Sequence, residues 1–470
     1  MTGGFEKNDR FRSAAIVGGG LAGLAAGCAL AEAGLEVTVF ERRPYLGGRA
    51  SSYEHPGTGE VVDNCQHLLL GCCTNLIHFY ERLGVASKIR WYDEMTFLSP
   101  GGRSSRVAPS FLPAPLHNTP SFLKAHYLSL SDKLAIGRAF LAMIQALPGD
   151  SDENFLQWLE RHRQTPQAIE RFWRPILTSA LNEDLDRMSV PYSIQVFRKS
   201  FLKSAAAGRI GLPSVPLSEL YASAIEYIRD RGGKVLLRST VTSICPQPEG
   251  VKITAGGSEL EFASAVLAAP FQTAATLLPN DPLSAPLKAE LEHFQGSPIT
   301  GIHLWFDREI TPLPHAVLLD RTIQWMFQKS KFQQAAYREG TGSYMELVVS
   351  SSKTLVQKSR EEILDLAQQE VAEFFPAVKE AKLVKAAVIK EIYATYSILP
   401  GLDRYRPESR TPWPRLFLAG DWTATEWPAT MEGAVRSGYL AAEAITAQLG
   451  RPQKFLVADL PSTGLMKLFD

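Results

Sequence analysis

The segment from 14 to 41 constrains the fold more than any other part of the chain. It contains the apolar run "AAIVG", the Ala-rich run "LAGLAAGCALAEAG" and the β-branched run "EVTVFE". This order predicts a strand, a glycine turn, a helix and a second strand, which together form a βαβ unit. Gly18, Gly20 and Gly23 satisfy the pattern GxGxxG in that turn, and Glu41 ends the second strand.

The glycine pattern predicts a dinucleotide site. Glycines permit a tight turn and a close backbone approach, so a pyrophosphate can rest at the helix N-terminus, where free N–H groups point at it. A carboxylate about twenty residues further on, here Glu41, can accept hydrogen bonds from ribose hydroxyls.

Composition excludes several other classes of protein. The 470 residues are many for one core, which predicts two or three domains. Because 49 Lys and Arg balance 49 Asp and Glu without a long run of either sign, nucleic acid is not the expected main partner. The cysteines are odd in number and form no CxxC pair, which indicates neither a disulfide framework nor a metal site and favours a reducing cytoplasm. They are Cys28, Cys65, Cys72, Cys73 and Cys245.

Two further stretches identify the nucleotide. "ERRPYLGGRA" at 41–50 and "LFLAGDW" at 416–422, followed by "TMEGAVRSG", resemble the FAD-binding motifs of the flavin amine oxidase and phytoene desaturase superfamily. The resemblance implies FAD, with the Gly-Gly-Arg segment near the pyrophosphate and flavin, and Asp421 near the ribityl chain. No histidine or cysteine sits in a recognisable flavin-linkage motif, so we expect the FAD to be non-covalent. It also implies that helix N–H groups around Met431 to Ala434 face the flavin O2 and N1 edge. The predicted cofactor contacts are Gly18, Gly20, Ala22, Gly23, Glu41, Arg42, Gly48, Arg49, Val241, Gly420, Asp421, Met431 and Ala434.

The resemblance implies an α/β fold with a Rossmann-type FAD-binding domain and a discontinuous substrate domain of mixed sheet and helices. We assign 11–96, 205–290 and 410–450 to the FAD-binding domain. The substrate domain then comprises 97–204 and 291–409, and 451–470 is a C-terminal tail. The first ten residues are polar and predict a loose lead-in.

Amine oxidation is disfavoured by two local departures. Amine oxidases of the superfamily usually carry an aromatic residue where this chain has Thr430, and a lysine on a pocket strand, whereas "PITGIHLWFD" has none. Three stretches instead resemble the hydroxysqualene dehydroxylases, a group of squalene-associated FAD-dependent desaturase-like proteins of hopanoid-producing bacteria. These stretches are 61–85, 175–201 and 420–438. Cys65 departs from that group, in which glycine is expected after "DN".

That resemblance implies reductive dehydroxylation, in which hydroxysqualene and reduced FAD give squalene, water and oxidised FAD. Loss of an allylic hydroxyl needs a proton donor, a dry apolar tunnel and a stacked flavin. Two alternatives stay open. One is an oxidative carotenoid or phytoene desaturase, in which hydride moves the other way. The other is a non-catalytic prenyl-lipid-binding flavoprotein.

His67 is the first candidate for the proton donor, because its pKa is nearest neutrality, and Asp63 orients it or acts instead. Gln66 lies in the same segment, and Asn182 and Glu183 are further candidates for the pocket. Several aromatic residues are candidates for lining a tunnel or for stabilising a cation, although most aromatic residues simply form core. They are Trp173, Trp305, Phe306, Trp325 and Trp427.

A long isoprenoid partitions into bilayers, which predicts a peripheral enzyme on the inner face of the cytoplasmic membrane. No run of about twenty apolar residues free of glycine turns suggests a span. The segment 108–130 is the predicted docking patch, with core packing as the alternative. Its candidate residues are Phe111, Leu112, Leu116, Phe122, Leu123, Lys124, His126 and Tyr127.

Overall fold

The computed structural model describes residues 12–145, 149, 151–333 and 342–469, so the predicted lead-in at 1–10 lies outside the described residues. The strands, numbered in chain order, have the following bounds: Ser13–Val17 (β1), Glu36–Phe40 (β2), Ser52–Glu54 (β3), Val61–Asp63 (β4), Leu69–Leu70 (β5), Ile89–Tyr92 (β6), Met95–Ser99 (β7), Arg103–Val107 (β8), Ile210–Pro213 (β9), Lys234–Leu236 (β10), Val241–Gln247 (β11), Gly250–Ala255 (β12), Ser258–Phe262 (β13), Ser264–Leu267 (β14), Gly296–Phe306 (β15), His315–Leu318 (β16), Trp325–Gln328 (β17), Ser343–Ser350 (β18), Leu383–Tyr396 (β19) and Leu416–Leu418 (β20).

The α-helices have the following bounds: Leu21–Glu32 (α1), Thr74–Arg82 (α2), Thr119–Lys124 (α3), Leu130–Gln145 (α4), Phe155–Arg161 (α5), Pro166–Ala168 (α6), Arg174–Leu181 (α7), Val190–Val196 (α8), Leu217–Arg229 (α9), Phe271–Leu277 (α10), Ser284–Leu291 (α11), Lys329–Phe332 (α12), Arg360–Phe374 (α13) and Met431–Gln448 (α14).

Five parallel strands form the nucleotide-side sheet, in the order β10-β2-β1-β14-β20. Helix α1 packs between this sheet and α14, so nearly all of its residues are buried, which explains its alanines and glycines. The contact is close: a Cβ on Gly438 of α14 would lie 2.2 Å from the carbonyl oxygen of Ala22. The predicted βαβ unit and the α/β class are confirmed.

A second, mixed sheet has seven strands, in the order β19-β15-β18-β17-β16-β7-β8. Its central strands are antiparallel, with His303 opposite Glu346 and Gly301 opposite Val348. Because direct cross-strand partners point to one face, these side chains share a face of the sheet. The domain division stays a prediction, and its boundary at 96–97 falls inside β7, a strand of this sheet.

Helices α3 to α8 hold an aromatic core beside the seven-stranded sheet. Phe140 contacts both Phe172 and Phe197 in this core, with ring centroids 5.8 and 5.5 Å apart. Two single π-helical turns lie here, at Ile169–Trp173 and at Phe197–Phe201. Trp173 belongs to this core and is fully buried.

The tail 451–469 crosses from one side of the molecule to the other. Val457 N–H donates to Asn75 Oδ1 in the first turn of α2 at 2.9 Å, and Asp459 forms an ion pair with Lys199 at 3.0 Å. Further on, Leu465 N–H donates to the carbonyl of Ala114 at 2.8 Å. The tail therefore ties the nucleotide side to the helical region. Within the described ranges no helix combines the length and apolarity needed to cross a bilayer.

Candidate flavin site

One cavity of about 500 Å³ lies between the two sheets and is lined from both sides. With the exception of Gly23, every predicted cofactor contact lines it. These residues are Gly18, Gly20, Ala22, Glu41, Arg42, Gly48, Arg49, Val241, Gly420, Asp421, Met431 and Ala434. A single cavity thus joins sequence motifs that lie about four hundred residues apart.

The glycine turn shapes the nucleotide side of this cavity. Gly18 has φ +118°, and a Cβ there would lie 2.6 Å from the carbonyl oxygen of Ala268. Gly23 does not reach the cavity; a Cβ on it would lie 1.9 Å from the carbonyl oxygen of Gly18, so it serves close packing of the turn. A Cβ on Gly20 would meet only Gly48, at 3.8 Å, and would occupy the space in front of α1. The lack of a Cβ at Gly20 gives the close backbone approach that a pyrophosphate needs at the start of α1, and the residues therefore fit FAD.

Glu41 lies just past β2 with its carboxylate turned toward the glycine turn. Oε2 accepts a hydrogen bond from Gly19 N–H at 2.8 Å, and Oε1 accepts one from Arg43 N–H at 2.7 Å. Each carboxylate oxygen has a further lone pair for a ribose hydroxyl. The side chain is 6% exposed and is held in place before any ligand arrives.

Arg49 and Asp421 form an ion pair on the cavity wall, with Nη2 2.6 Å from Oδ1. Arg49 also donates to the carbonyl of Ala394 on β19 at 3.0 Å. Burial opposes the charged form of Arg49, but the carboxylate of Asp421 outweighs it and raises the pKa of the guanidinium. The pair links the nucleotide side to the seven-stranded sheet.

Helix α14 points its N-terminus at the cavity. The hydroxyl of Thr430 accepts from Gly433 N–H at 3.1 Å, and its carbonyl accepts from Ala434 N–H at 3.0 Å. Of the predicted N–H donors from 431 to 434, the last two are therefore already used. The first N–H groups of a helix lack partners within the helix, so those of Met431 and Glu432 remain for a ligand.

His67 lines the cavity and is fixed through one ring nitrogen. Nδ1 lies 2.9 Å from the carbonyl oxygen of Cys65. A carbonyl only accepts, so Nδ1 carries the proton. Burial lowers the pKa of His67, and the hydrogen bond to Cys65 only partly offsets this. The neutral ring then has an unprotonated Nε2, which makes no hydrogen bond in the described part of the chain. This geometry suits a proton acceptor better than the predicted donor.

Asp63 does not line the cavity. It is 3% exposed and forms an ion pair with Lys329, which is 1% exposed. Asp63 also accepts from Ser52 Oγ at 2.5 Å and from Leu217 N–H at 3.0 Å. Burial raises the pKa of the carboxyl, but Lys329 outweighs burial, so the pKa is lowered. The structure thus places Asp63 as a buried anchor behind the flavin side of the cavity.

Lys329 is the centre of a buried ionic cluster that the sequence analysis missed. Besides Asp63, its Nζ donates to Gln66 Oε1 at 2.7 Å and lies 3.3 Å from Glu346 Oε2. Burial raises the pKa of Glu346 to about 7, because the attraction of Lys329 offsets only part of the desolvation. His303, the cross-strand partner of Glu346, has its pKa lowered by burial to about 3. The available signal was one glutamate within the apolar strand "SYMELVVSS".

Gln66 connects this cluster to the cavity that it lines. Beside it, Cys65 has φ 63°, in the left-handed region that glycine prefers. This backbone explains the glycine expected after "DN". The thiol side of Cys65 packs at Gly301, where an added Cβ would lie 3.2 Å from Sγ.

The other candidates separate into cavity and core. Asn182 lines the cavity, but its side chain is occupied by Ser297, Thr395 and Ser351. Glu183 is fully buried away from the cavity and pairs with Lys353. Among the aromatic candidates, two line the cavity and three do not. Trp325 and Trp427 line it, whereas Trp173, Trp305 and Phe306 lie elsewhere in buried clusters.

Two curated relatives match almost the whole chain. The 15-cis-phytoene desaturase of Synechococcus elongatus is 28% identical over 465 residues, which cover 94% of this chain and 97% of the relative. The chloroplastic/chromoplastic 15-cis-phytoene desaturase of Solanum lycopersicum is 30% identical over 465 residues, which cover 94% of this chain and 79% of the relative.

A solved structure and a family description agree with the observed fold. A redesigned triple mutant of putrescine oxidase superposes with a TM-score of 0.73 at 20% identity, over 93% of this chain and 99% of that one. The family described as flavin containing amine oxidoreductase matches residues 21–446. Its match takes in the segments 41–50 and 416–422 and most of both sheets, and the chain belongs to the flavin-containing amine oxidoreductase family.

Proposed function

We propose that this protein is an FAD-dependent desaturase of a long acyclic isoprenoid. The single observation that carries the direction of the reaction is His67, whose neutral ring presents an unprotonated Nε2 in the flavin cavity. Two features support the substrate class: the apolar side chains on the seven-stranded sheet and the similarity to relatives named phytoene desaturases.

The proposed step removes two hydrogens from adjacent carbons. When bound, FAD supplies the hydride acceptor. His67 Nε2 takes the neighbouring proton, and the electron pair of that C–H bond forms the new C=C bond. The carbonyl of Cys65 holds the ring in the required tautomer, and becomes the acceptor for a cationic ring after proton transfer.

The sheet wall contributes orientation and exclusion of water. Ile299, Val348, Trp325 and Phe327 line the cavity from strands β15, β17 and β18. Trp325 is held by its indole N–H, which donates to Ser179 at 2.8 Å. A hydrocarbon chain is positioned here by shape and by burial of apolar surface, at ~0.8 kcal/mol for each methylene.

Reductive dehydroxylation of hydroxysqualene is the second candidate, supported by the three stretches that resemble that group. Glu346 is the observation that favours it, since a carboxyl with a pKa of about 7 holds a proton near neutral pH. Glu346 does not line the cavity, however, so its proton would have to pass the Gln66 segment. The desaturase assignment needs no such proton transfer. In it, hydride moves from the substrate to FAD, which agrees with relatives that are named desaturases.

The deciding experiment is an anaerobic single-turnover assay on purified FAD-loaded protein. With oxidised FAD and phytoene in liposomes, we expect flavin bleaching together with a product of longer conjugation. With reduced FAD and hydroxysqualene, we expect no squalene. The opposite pair of results establishes the second candidate, and flavin that is silent toward both lipids overturns both enzymatic assignments.

His67→Ala tests the proton acceptor. We expect a normal FAD content with single-turnover bleaching slowed ~100-fold or more, the usual scale for loss of a general base. His126→Ala is the matched control, because that imidazole is exposed and lies outside the cavity. Bleaching at the wild-type rate in His67→Ala overturns the assignment of the acceptor.

The outer face of the helical region supports a membrane-docking role. Six apolar side chains between 111 and 141 are exposed, and we call them the apolar rim: Phe111, Leu116, Leu123, Leu130, Leu134 and Leu141. Phe111 is 96% exposed. Lys124 and Arg138 lie exposed among them, which suits an anionic lipid surface. Of the predicted patch, Tyr127 is buried and faces the core instead.

Co-sedimentation with anionic liposomes tests the apolar rim. Phe111→Ser combined with Leu123→Ser should lower the bound fraction while FAD content stays normal. The matched control is Val384→Ser with Tyr393→Ser, because those side chains are also more than half exposed but lie on β19. Equal loss in both double variants removes the rim as the docking surface.

A further inference from the structure

A second cavity, of about 200 Å³, lies beneath the segment 109–124. A cavity of ~150 Å³ is already enough to admit a benzene-sized group. Six phenylalanines lie in the wall of this second cavity. They are Phe97, Phe122, Phe140, Phe172, Phe197 and Phe201.

His117 is the polar residue of this wall that the structure leaves most deeply buried without partners. It is 2% exposed, and neither Nδ1 nor Nε2 has a hydrogen-bond partner among the described residues. Burial lowers the pKa of His117, so the ring is neutral and presents one donor and one acceptor. Its carbonyl accepts from both Ser110 N–H and Ser110 Oγ at 2.8 Å, which fixes the backbone. Buried polar atoms without partners are costly, so the two unpaired ring nitrogens of His117 point to a ligand.

The position of the cavity connects the apolar rim to the flavin cavity. Phe122 and Leu123 of α3 form its outer wall, and Leu123 also belongs to the rim. On the inner side, Phe197 lines this cavity while the preceding Val196 lines the flavin cavity. A lipid in this cavity would lie next to both the apolar rim and the flavin cavity.

Its remaining polar lining lies on separate elements. Asp93 pairs with Arg209 at 2.7 Å, and Lys133 donates to the carbonyl of Leu123 at 2.8 Å. Glu94 forms an ion pair with Arg106, with Oε1 3.7 Å from Nη1. These charges already have partners. Asn118 and Thr119 complete the polar lining and are only half-buried, whereas His117 is nearly fully buried with both ring nitrogens unpaired.

We propose that this cavity is a second lipid site, which binds an isoprenoid alcohol with its hydroxyl at His117 and its chain among the phenylalanines. A hydroxyl both donates and accepts, so it pairs with either ring nitrogen. A pure hydrocarbon leaves His117 unpaired, and a phosphate or carboxylate would lose its hydration beside a neutral ring. The isoprenoid nature of the chain rests on the proposed function, whereas the apolar chain with one hydroxyl does not.

Equilibrium dialysis of the FAD-loaded protein tests the contact at His117. The probes are radiolabelled farnesol, the hydrocarbon farnesene and the unbranched alcohol 1-dodecanol. His117→Phe should weaken farnesol binding roughly three- to tenfold, the scale of one neutral hydrogen bond, and leave farnesene binding unchanged. His126→Phe, at the exposed histidine of the same region, should leave both unchanged.

Gly137→Leu tests the cavity without endangering the fold. Gly137 lines the cavity on α4, and a Cβ added there meets nothing within 4 Å. Leucine also favours a helix more than glycine does. We expect this variant to lose one equivalent of bound farnesol, whereas Arg138→Leu, at the adjacent exposed position, should keep it.

Farnesol affinity that is unchanged in His117→Phe, or stoichiometry that is unchanged in Gly137→Leu, overturns the second site. Equal affinity for 1-dodecanol and farnesol overturns its isoprenoid specificity. Both measurements are made without turnover, so failure of the phytoene assay would leave them unaffected, and the two proposals can fail separately.

Discussion

The two walls of the flavin cavity are built by different means. On the nucleotide side, apart from the Arg49–Asp421 pair that links it to the sheet, the polar groups are backbone N–H groups and the carboxylate of Glu41, from a turn and two helix starts. On the side of the seven-stranded sheet, three buried ionic groups meet behind Gln66: Lys329, Asp63 and Glu346. The first wall is encoded within short windows of sequence, and the second is assembled from distant ones.

The difference predicts a division of labour. Changes on the nucleotide wall should alter FAD affinity with little effect on proton chemistry. Changes in the ionic cluster should alter stability and pH dependence, because a buried charge left without its partner is costly.

Lys329→Met should have the largest effect. It leaves Asp63 as an uncompensated buried charge, so we expect a loss of about 3 to 5 kcal/mol in the free energy of unfolding. Urea unfolding of the FAD-loaded protein measures it. The double variant Lys329→Met with Asp63→Asn removes both charges and should recover much of the loss. Failure of this recovery would mean that Lys329 acts through packing and not through charge.

Glu41→Ala should weaken FAD binding by about 1.5 to 3 kcal/mol, because ribose hydroxyls lose a charged acceptor and two backbone N–H groups lose their partner. The dissociation constant from flavin fluorescence measures it. Glu41→Gln keeps one acceptor oxygen, so its dissociation constant for FAD should fall between those of the wild type and of Glu41→Ala. An unchanged dissociation constant in Glu41→Ala would contradict the assignment of Glu41 to FAD binding.

Glu346→Gln should change how stability depends on pH. Burial raises the pKa of Glu346 from its ordinary 4.5 to about 7, so the folded protein keeps a proton that the unfolded chain releases. The wild type therefore loses stability as pH rises from about 4.5 to about 7, and the amide does not. We expect the variant to gain about 2 kcal/mol relative to wild type between pH ~5 and pH ~8.

Chemical denaturation at the two pH values measures this gain. Glu362→Gln is the control, because Glu362 is an exposed capping residue of α13 outside the cluster. A constant difference between Glu346→Gln and wild type across that range would show that Glu346 is already ionised in the folded state.

Cys65→Gly should have the smallest effect, within about 1 kcal/mol of wild-type stability. Glycine relieves the left-handed strain at φ 63° but gives the unfolded chain more freedom, and the two terms are of similar size. Cys65→Ala keeps the strain and loses the thiol contact at Gly301, so it should be less stable than Cys65→Gly in thermal unfolding. The reverse order would mean that the thiol, and not the backbone, determines this position.

The sequence predicts the nucleotide wall, which is encoded locally, better than it predicts the ionic cluster, which is assembled from distant segments. The βαβ unit, the nucleotide carboxylate and the second FAD motif are local patterns, and all of them reach one cavity. Gly23 was assigned to the cofactor although it serves packing, because the pattern does not separate the two uses of glycine. Lys329 could not be assigned, since its partners Asp63 and Glu346 come close to it only through the sheet register and the ends of separate strands.

The strand order of the nucleotide-side sheet has a consequence for how the chain folds during synthesis. Ala14 pairs with Ser264, and β14 in turn pairs with Leu416–Leu418. On the ribosome, the first βαβ unit, which ends at Phe40, therefore waits with an open strand edge while roughly two hundred and twenty residues emerge before β14. The N–H groups at 431 and 432 arrive later still, so FAD capture is a late event, and chaperones that shield open edges should influence the yield of loaded protein.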